Sequence, residues 1–124
     1  MRLMYLPVRR KKEKRTKPVS ALRSPKHLRH IRGLTCVVQG CTTGKKVVAA
    51  HIRAGLPPGE MAGTGIKPAD VWTFPACVDH HAEEHEGTKS FQAKYGINLV
   101  KVAHALACNS EIPEVRQYAQ RFRV

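Results

Sequence analysis

No apolar run in the 124-residue chain approaches the ~20 residues that a membrane helix requires, which excludes a bilayer-spanning segment of that kind. The opening MRLMYLPV is too short for a signal-peptide core and passes straight into basic residues, so the cytoplasm is the expected compartment. There is no internal repeat, and the length suits one compact domain plus a tail rather than two domains. Cysteine is confined to Cys36, Cys41, Cys77 and Cys108. In a reducing compartment these are expected as metal ligands, thiolates or buried thiols, not disulfides. Acid is scarce: Asp and Glu number 9 against 22 Lys and Arg, leaving a formal net charge of +13.

That imbalance is local. Residues 1–32 carry 12 Lys/Arg against the lone acid Glu13, whereas residues 33–124 carry 10 against 8 acids. A nearly neutral domain therefore bears a cationic arm, expected over residues 1–23 and without stable structure when unbound, because like charges repel and little is apolar. A polyanion is the natural partner, nucleic acid first, since each neutralised phosphate releases a counterion. A membrane surface fits less well, because the arm shows no amphipathic stripe.

Ser24-Pro25 reads as a helix N-cap followed by proline at the first helical position, with Gly33 as the stop. Leu28 and Ile31 of this short helix are expected to dock on the domain, with His27 and His30 facing solvent or phosphate. Residues 45–52 (KKVVAAHI) and 71–75 (VWTFP) read as short strands, separated by a long loop rich in glycine and proline. Trp72 and Phe74 are expected in the core. Cys77 opens a helix to about Glu86. Further helices are expected over 89–95, 98–107 and 113–122, the last with Val115, Tyr118, Ala119 and Phe122 on one face. Cys108 is expected as a small buried hydrophobe and His104 as an ordinary helix residue. The fold class is α+β.

The chemistry-bearing pattern is Cys36-x4-Cys41, then His51, then Cys77-x2-His80-His81-x3-His85. Three cysteines and one of the adjacent histidines can supply four soft donors to a tetrahedral zinc, which would close a domain with a modest core. His81 and His85 lie four apart on one helix face and can grip a second metal. His51, at a strand end, could face the same spot. A histidine base with a divalent cation is what phosphodiester hydrolysis requires. Glu83, Glu84 and Glu86 read as cation-retaining or simply solvated.

This pattern resembles the HNH, or His-metal finger, nucleases. AHIR (50–53), the stretch from Gly63 to Asp70, FPAC and HHAEEH are similar to prophage-encoded HNH nucleases, a group that includes a phage recombination nuclease acting alongside the host recombinase. The resemblance runs from about Ser24 to Tyr95. It implies a small zinc-stapled ββα-metal domain over residues 24–95, with the short N-terminal helix included and extra C-terminal helices (96–124) packed on it. It implies His51 as general base, His81 and His85 as ligands of a catalytic magnesium, manganese or zinc, and Cys36, Cys41, Cys77 and His80 as ligands of a structural zinc. Ala50 stands where many members carry an acid, and the usual asparagine is replaced near Trp72, leaving Asp70 or a backbone carbonyl to orient His51.

The expected function is thus a metal-dependent DNA endonuclease of little sequence specificity, serving phage or prophage DNA recombination or processing, with a host recombinase as a candidate partner. Arg9, Arg10, Lys11, Lys12, Arg53 and Lys67 are the candidate DNA contacts. The alternative is a non-catalytic zinc-knuckle module that binds nucleic acid, a decayed nuclease. A basic ribosome-associated protein would explain the arm but not the three histidines.

Overall fold

The computed structural model describes residues 21–60 and 67–124. Arg9, Arg10, Lys11 and Lys12 of the basic arm lie outside the described residues, as do residues 61–66 of the glycine-rich loop. Ser24 and Pro25 do start the first helix, α1 (Pro25–Arg32): the Ser24 hydroxyl accepts from the His27 amide at 3.2 Å, and proline occupies the first turn, where its missing N–H is not needed. Ile31 is fully buried beneath this helix and Leu28 half-buried.

Two strands follow, β1 (Val47–His51) and β2 (Thr73–Cys77), paired antiparallel with Val47 opposite Cys77 and His51 opposite Thr73. The second strand starts two residues later than expected. Asp70–Trp72 instead form a turn, in which the Trp72 amide bonds the Ala69 carbonyl at 3.0 Å. The strand also runs through Pro75, which is tolerated because each strand of a two-stranded sheet has a free edge. The Pro75 carbonyl accepts from the Val37 amide at 2.7 Å, so the segment carrying Cys36 is fastened along that edge.

Cys77 ends β2 and caps the next helix, α2 (Val78–Glu86), its sulfur accepting from the His80 amide. Three further helices complete the chain: α3 (Thr88–Tyr95), α4 (Leu99–Cys108) and α5 (Pro113–Gln120). Gly96 ends α3 at φ +64°, a left-handed conformation that glycine adopts without strain. Trp72, Phe74, Leu99, Ala103 and Val115 are fully buried in one cluster joining the hairpin to α4 and α5. The chain is therefore an α+β domain with an N-terminal helix, a β-hairpin, α2 packed on both strands and a C-terminal helix group. Among the described residues, no helix is long and apolar enough to cross a membrane.

His27 departs from its expected place at the surface. It is fully buried under α1, and neither ring nitrogen has a hydrogen-bond partner among the described residues. The reason is helical geometry: His27 and Ile31 lie four apart, so the face that buries one buries the other.

Candidate functional site

The hairpin register sets the first cluster. Pairing of Val47 with Cys77 brings the loop before β1 against the start of α2. Cys36, Cys41, Cys77 and His80 there place one donor atom each within 4.8 Å of all the others. His80 Nδ1 lies 3.3, 3.5 and 3.1 Å from the sulfurs of Cys36, Cys41 and Cys77, and the Cys41 and Cys77 sulfurs are 3.9 Å apart. A tetrahedron with metal–sulfur bonds of about 2.3 Å and a metal–nitrogen bond of about 2.0 Å has edges of about 3.8 and about 3.5 Å. The observed spacings fit such a cluster closely, and no cysteine is in a disulfide. Soft thiolates with one imidazole suit zinc.

Local bonds prepare the sulfurs. Burial raises the Cys77 thiol, but bonds from Thr43 and from the His80 and Asp79 amides outweigh it and leave the thiol more acidic than usual. Cys41 is likewise lowered by Thr43, while burial raises Cys36. The His80 ring meets Tyr95 edge-on, and the Tyr95 hydroxyl donates to Glu83 at 2.6 Å. Cys108 stands apart from the cluster, half-buried with its sulfur 3.4 Å from His104 Nε2.

One turn along α2, a second group forms. His81, Glu84 and His85 bring one donor each within 4.8 Å, with the two imidazole centroids 4.7 Å apart. Residues spaced by three and four share a helix face, so the helix alone builds this group. Burial lowers the His81 pKa, helped by the charges of His85 and Arg53 and opposed by Glu84, so Arg53 at the end of β1 lies within electrostatic reach. The sequence does not single out Glu84 among its acidic neighbours. It is only 4% exposed and accepts from the Thr88 hydroxyl at 2.7 Å, whereas Glu83 is engaged with Lys94 and Tyr95 and Glu86 is exposed.

His51 does not join that group. His51 is engaged instead with a carboxylate: its Nε2 lies 2.9 Å from Asp70 Oδ1, the geometry of an imidazole N–H donating to a carboxylate. The turn that delays β2 is what delivers Asp70, and the Thr73 hydroxyl fixes it by donating to the Asp70 carbonyl at 2.8 Å. The other carboxylate oxygen accepts from the Ser24 amide at 2.8 Å, and the Arg23 guanidinium reaches the Lys67 and Pro68 carbonyls and Asp70 itself. Burial works against the Asp70 charge, yet His51, the Ser24 amide and Arg23 together hold its pKa below the ordinary value. Burial lowers the His51 pKa, the Asp70 bond raises it and the charges of Lys67 and Arg23 lower it; the net direction is down. The ring is therefore neutral at neutral pH, with Nδ1 free of any partner among the described residues. Arg23, Ser24 and Thr73 are positioning residues that no motif announces, although Ser24 is visible in the sequence as a helix cap.

Lys67 and Arg53 are both exposed; the Lys67 charge acts on His51 and the Arg53 charge on His81. Two donor clusters and a cationic balance are the features of a metal-binding, nucleic-acid-associated module. A family model described as "Protein of unknown function (DUF968)" matches residues 9–112 of the chain. No curated protein and no solved structure matches it.

Proposed function

The chain belongs to the DUF968 family, and from the geometry of its site we propose that it is a metal-dependent DNA endonuclease of the HNH type. The observation that carries this reading is the His51–Asp70 pair at 2.9 Å, set where β1 ends in a hairpin whose other strand runs into a cysteine-capped helix. Cys36, Cys41, Cys77 and His80 would hold a structural zinc. His81, His85 and Glu84 would hold the second divalent ion. Two imidazoles and a carboxylate suit manganese or zinc better than magnesium. When bound, that ion supplies charge stabilisation for the phosphoryl oxygens.

The protein's own groups then have defined tasks. Asp70, held by Ser24 and Arg23, fixes the ring of His51 with hydrogen on Nε2 and a lone pair on Nδ1. Nδ1 takes a proton from water as the water oxygen bonds to phosphorus. The bond to the 3′ oxygen breaks and that oxygen takes a proton from a second water, leaving a 5′-phosphate and a 3′-hydroxyl. Arg53 and Lys67 contact the strand being cut, and the cationic arm with Arg9, Arg10, Lys11 and Lys12 adds affinity without reading bases. The nuclease unit is residues 24–95, with 96–124 as its support and 1–23 as the arm, whose last residues Leu22 and Arg23 are fastened to the domain at Asp70 rather than free as expected. A cytoplasmic role in phage or prophage recombination, beside a host recombinase, suits that design.

Plasmid nicking with manganese, magnesium or zinc tests the proposal. The wild type should cut. His51→Ala should lose about 10²- to 10⁴-fold while still binding DNA. A second reading is favoured by one observation: Ala50, where an acid would assist metal binding, is 1% exposed in the core. On that reading the chain is a zinc-stapled binding module, and both proteins would bind DNA with neither cutting it.

A further inference from the structure

We infer that the outer row of α1, Lys26, Arg29 and Arg32, is a docking ridge for the sugar–phosphate backbone of duplex DNA, leading it towards His51. The ridge would receive the substrate of the preceding reading, and it rests on the DNA partner of that reading but not on catalysis.

The three residues repeat every third position and lie opposite the buried His27 and Ile31. All three are exposed, and none is in an ion pair among the described residues. Several other cations are engaged, Lys45 with Asp79, Lys94 with Glu83, Arg116 with the Ser110 carbonyl and Arg121 over the Tyr118 ring, and those that are not, such as Lys89, Lys101 and Arg123, do not form a row on one helix. Sequence makes the ridge purer still, because residues 14–59 contain no acid at all. Beyond that stretch, four of the remaining acids lie on α2, and Asp70 sits at the N-terminal end of the row, beneath Ser24.

Position gives the ridge its consequence. Ser24, the cap of α1, donates its amide to Asp70, and Asp70 holds His51. A phosphate chain following the row towards the helix N-terminus therefore arrives at the pair that would abstract the proton. The partner is a duplex rather than a single strand, since single-strand binders present aromatic stacking platforms. Here the only large exposed hydrophobics among the described residues are Val78 and Val124, while Trp72 and Phe74 are fully buried. A lipid surface would need an apolar face beside the charges, and α1 turns its apolar face into the core.

The test measures binding without cutting, in full-length His51→Ala protein with its zinc retained and no added divalent ion. A labelled short DNA duplex is titrated across a potassium chloride series. Replacing Lys26, Arg29 and Arg32 by alanine should weaken binding about ten-fold or more at low salt and lower the salt slope by about 2–3, near 0.9 for each phosphate no longer neutralised. Alanine at the exposed control set Lys89, Lys101 and Arg123 should do much less. Lysine at 29 and 32 should restore the slope, and glutamine at 29 and 32 serves if the alanine variant fails to fold. Equal losses from the control set, an unchanged slope, or tighter binding to the single strand or to anionic vesicles would overturn the inference. Intact duplex binding by a wild type that never nicks would remove the nuclease reading and leave the ridge standing.

Discussion

The two donor groups share one helix yet are assembled in contrasting ways. Cys36, Cys41, Cys77 and His80 come from a loop, a strand end and a helix turn, with up to 44 residues between partners. His81, Glu84 and His85 come from neighbouring turns of α2 and tie nothing distant together. An ion in the first group closes long loops of chain, so its binding energy is folding energy. An ion in the second group only adds charge and Lewis acidity to a surface the helix has already made. On the proposed reading, stability and chemistry would thereby be assigned to separate sites, a few residues apart.

The comparison breaks first, and hardest, at the cysteines. Apparent zinc-binding energies in such sites are about 10–16 kcal/mol, as large as the about 5–15 kcal/mol of net stability typical of a whole domain. Cys77→Ser, or prolonged treatment with a strong chelator, should therefore abolish the cooperative thermal transition followed by circular dichroism. A chelated protein that melts at an unchanged temperature would show that the first group is not structural.

A smaller and more selective effect is expected in the second group. Glu84→Gln keeps an oxygen for the Thr88 hydroxyl but removes the charge that faces His81 and His85. The melting temperature should move little, while the manganese concentration needed for half-maximal nicking should rise about 10- to 100-fold. If Glu84 serves only to receive Thr88, the manganese titration will be indistinguishable from wild type.

What can be read from the residues follows the same division. The α+β class, the capping of α1 by Ser24 and the start of α2 at Cys77 are local matters of cap chemistry and spacing, and the observed elements follow them. The donors Cys36, Cys41, Cys77 and His80 and the pair His81 and His85 are also visible, through short Cys-x4-Cys and Cys-x2-His spacings and the i, i+4 spacing of the pair, whereas Glu84 is not. The surroundings of His51 are not. That its ring meets Asp70 depends on where the connection between strands turns, and the turn at 70–72 displaces β2 by two residues relative to the hydrophobic run VWTFP. Glu84 differs from Glu83 and Glu86 only in the direction its side chain leaves the helix, towards Thr88 rather than towards Lys94 and Tyr95 or solvent. The expectation for His27 fails for a related reason: a polar residue beside lysine and arginine looks solvated until Ile31, one turn on, fixes which face is buried.

His27 yields the smallest effect and the cleanest separation of fold from metal chemistry, since it belongs to neither donor group. Its two ring nitrogens are buried without partners, an arrangement that costs about 1–3 kcal/mol relative to a satisfied or apolar side chain. Burial, with the charge of His30, lowers its pKa below the ordinary histidine value, and Asp70 only partly opposes this. On acidification the unfolded chain thus takes up the proton first, so stability is full above about pH 6.5. It declines as pH falls below that value and levels off beneath the lowered folded pKa, by at most about 1.4 kcal/mol per pH unit from this group. His27→Phe retains a ring of similar shape and removes the titration. Its urea midpoint at neutral pH should equal or exceed that of the wild type, and the gap should widen at mildly acidic pH. His51 and the thiolates titrate in both proteins and cancel from the difference. Parallel pH profiles for the two would mean that His27 is solvated or partnered in solution, and that the underside of α1 is less tightly closed than the buried Ile31 beside it requires.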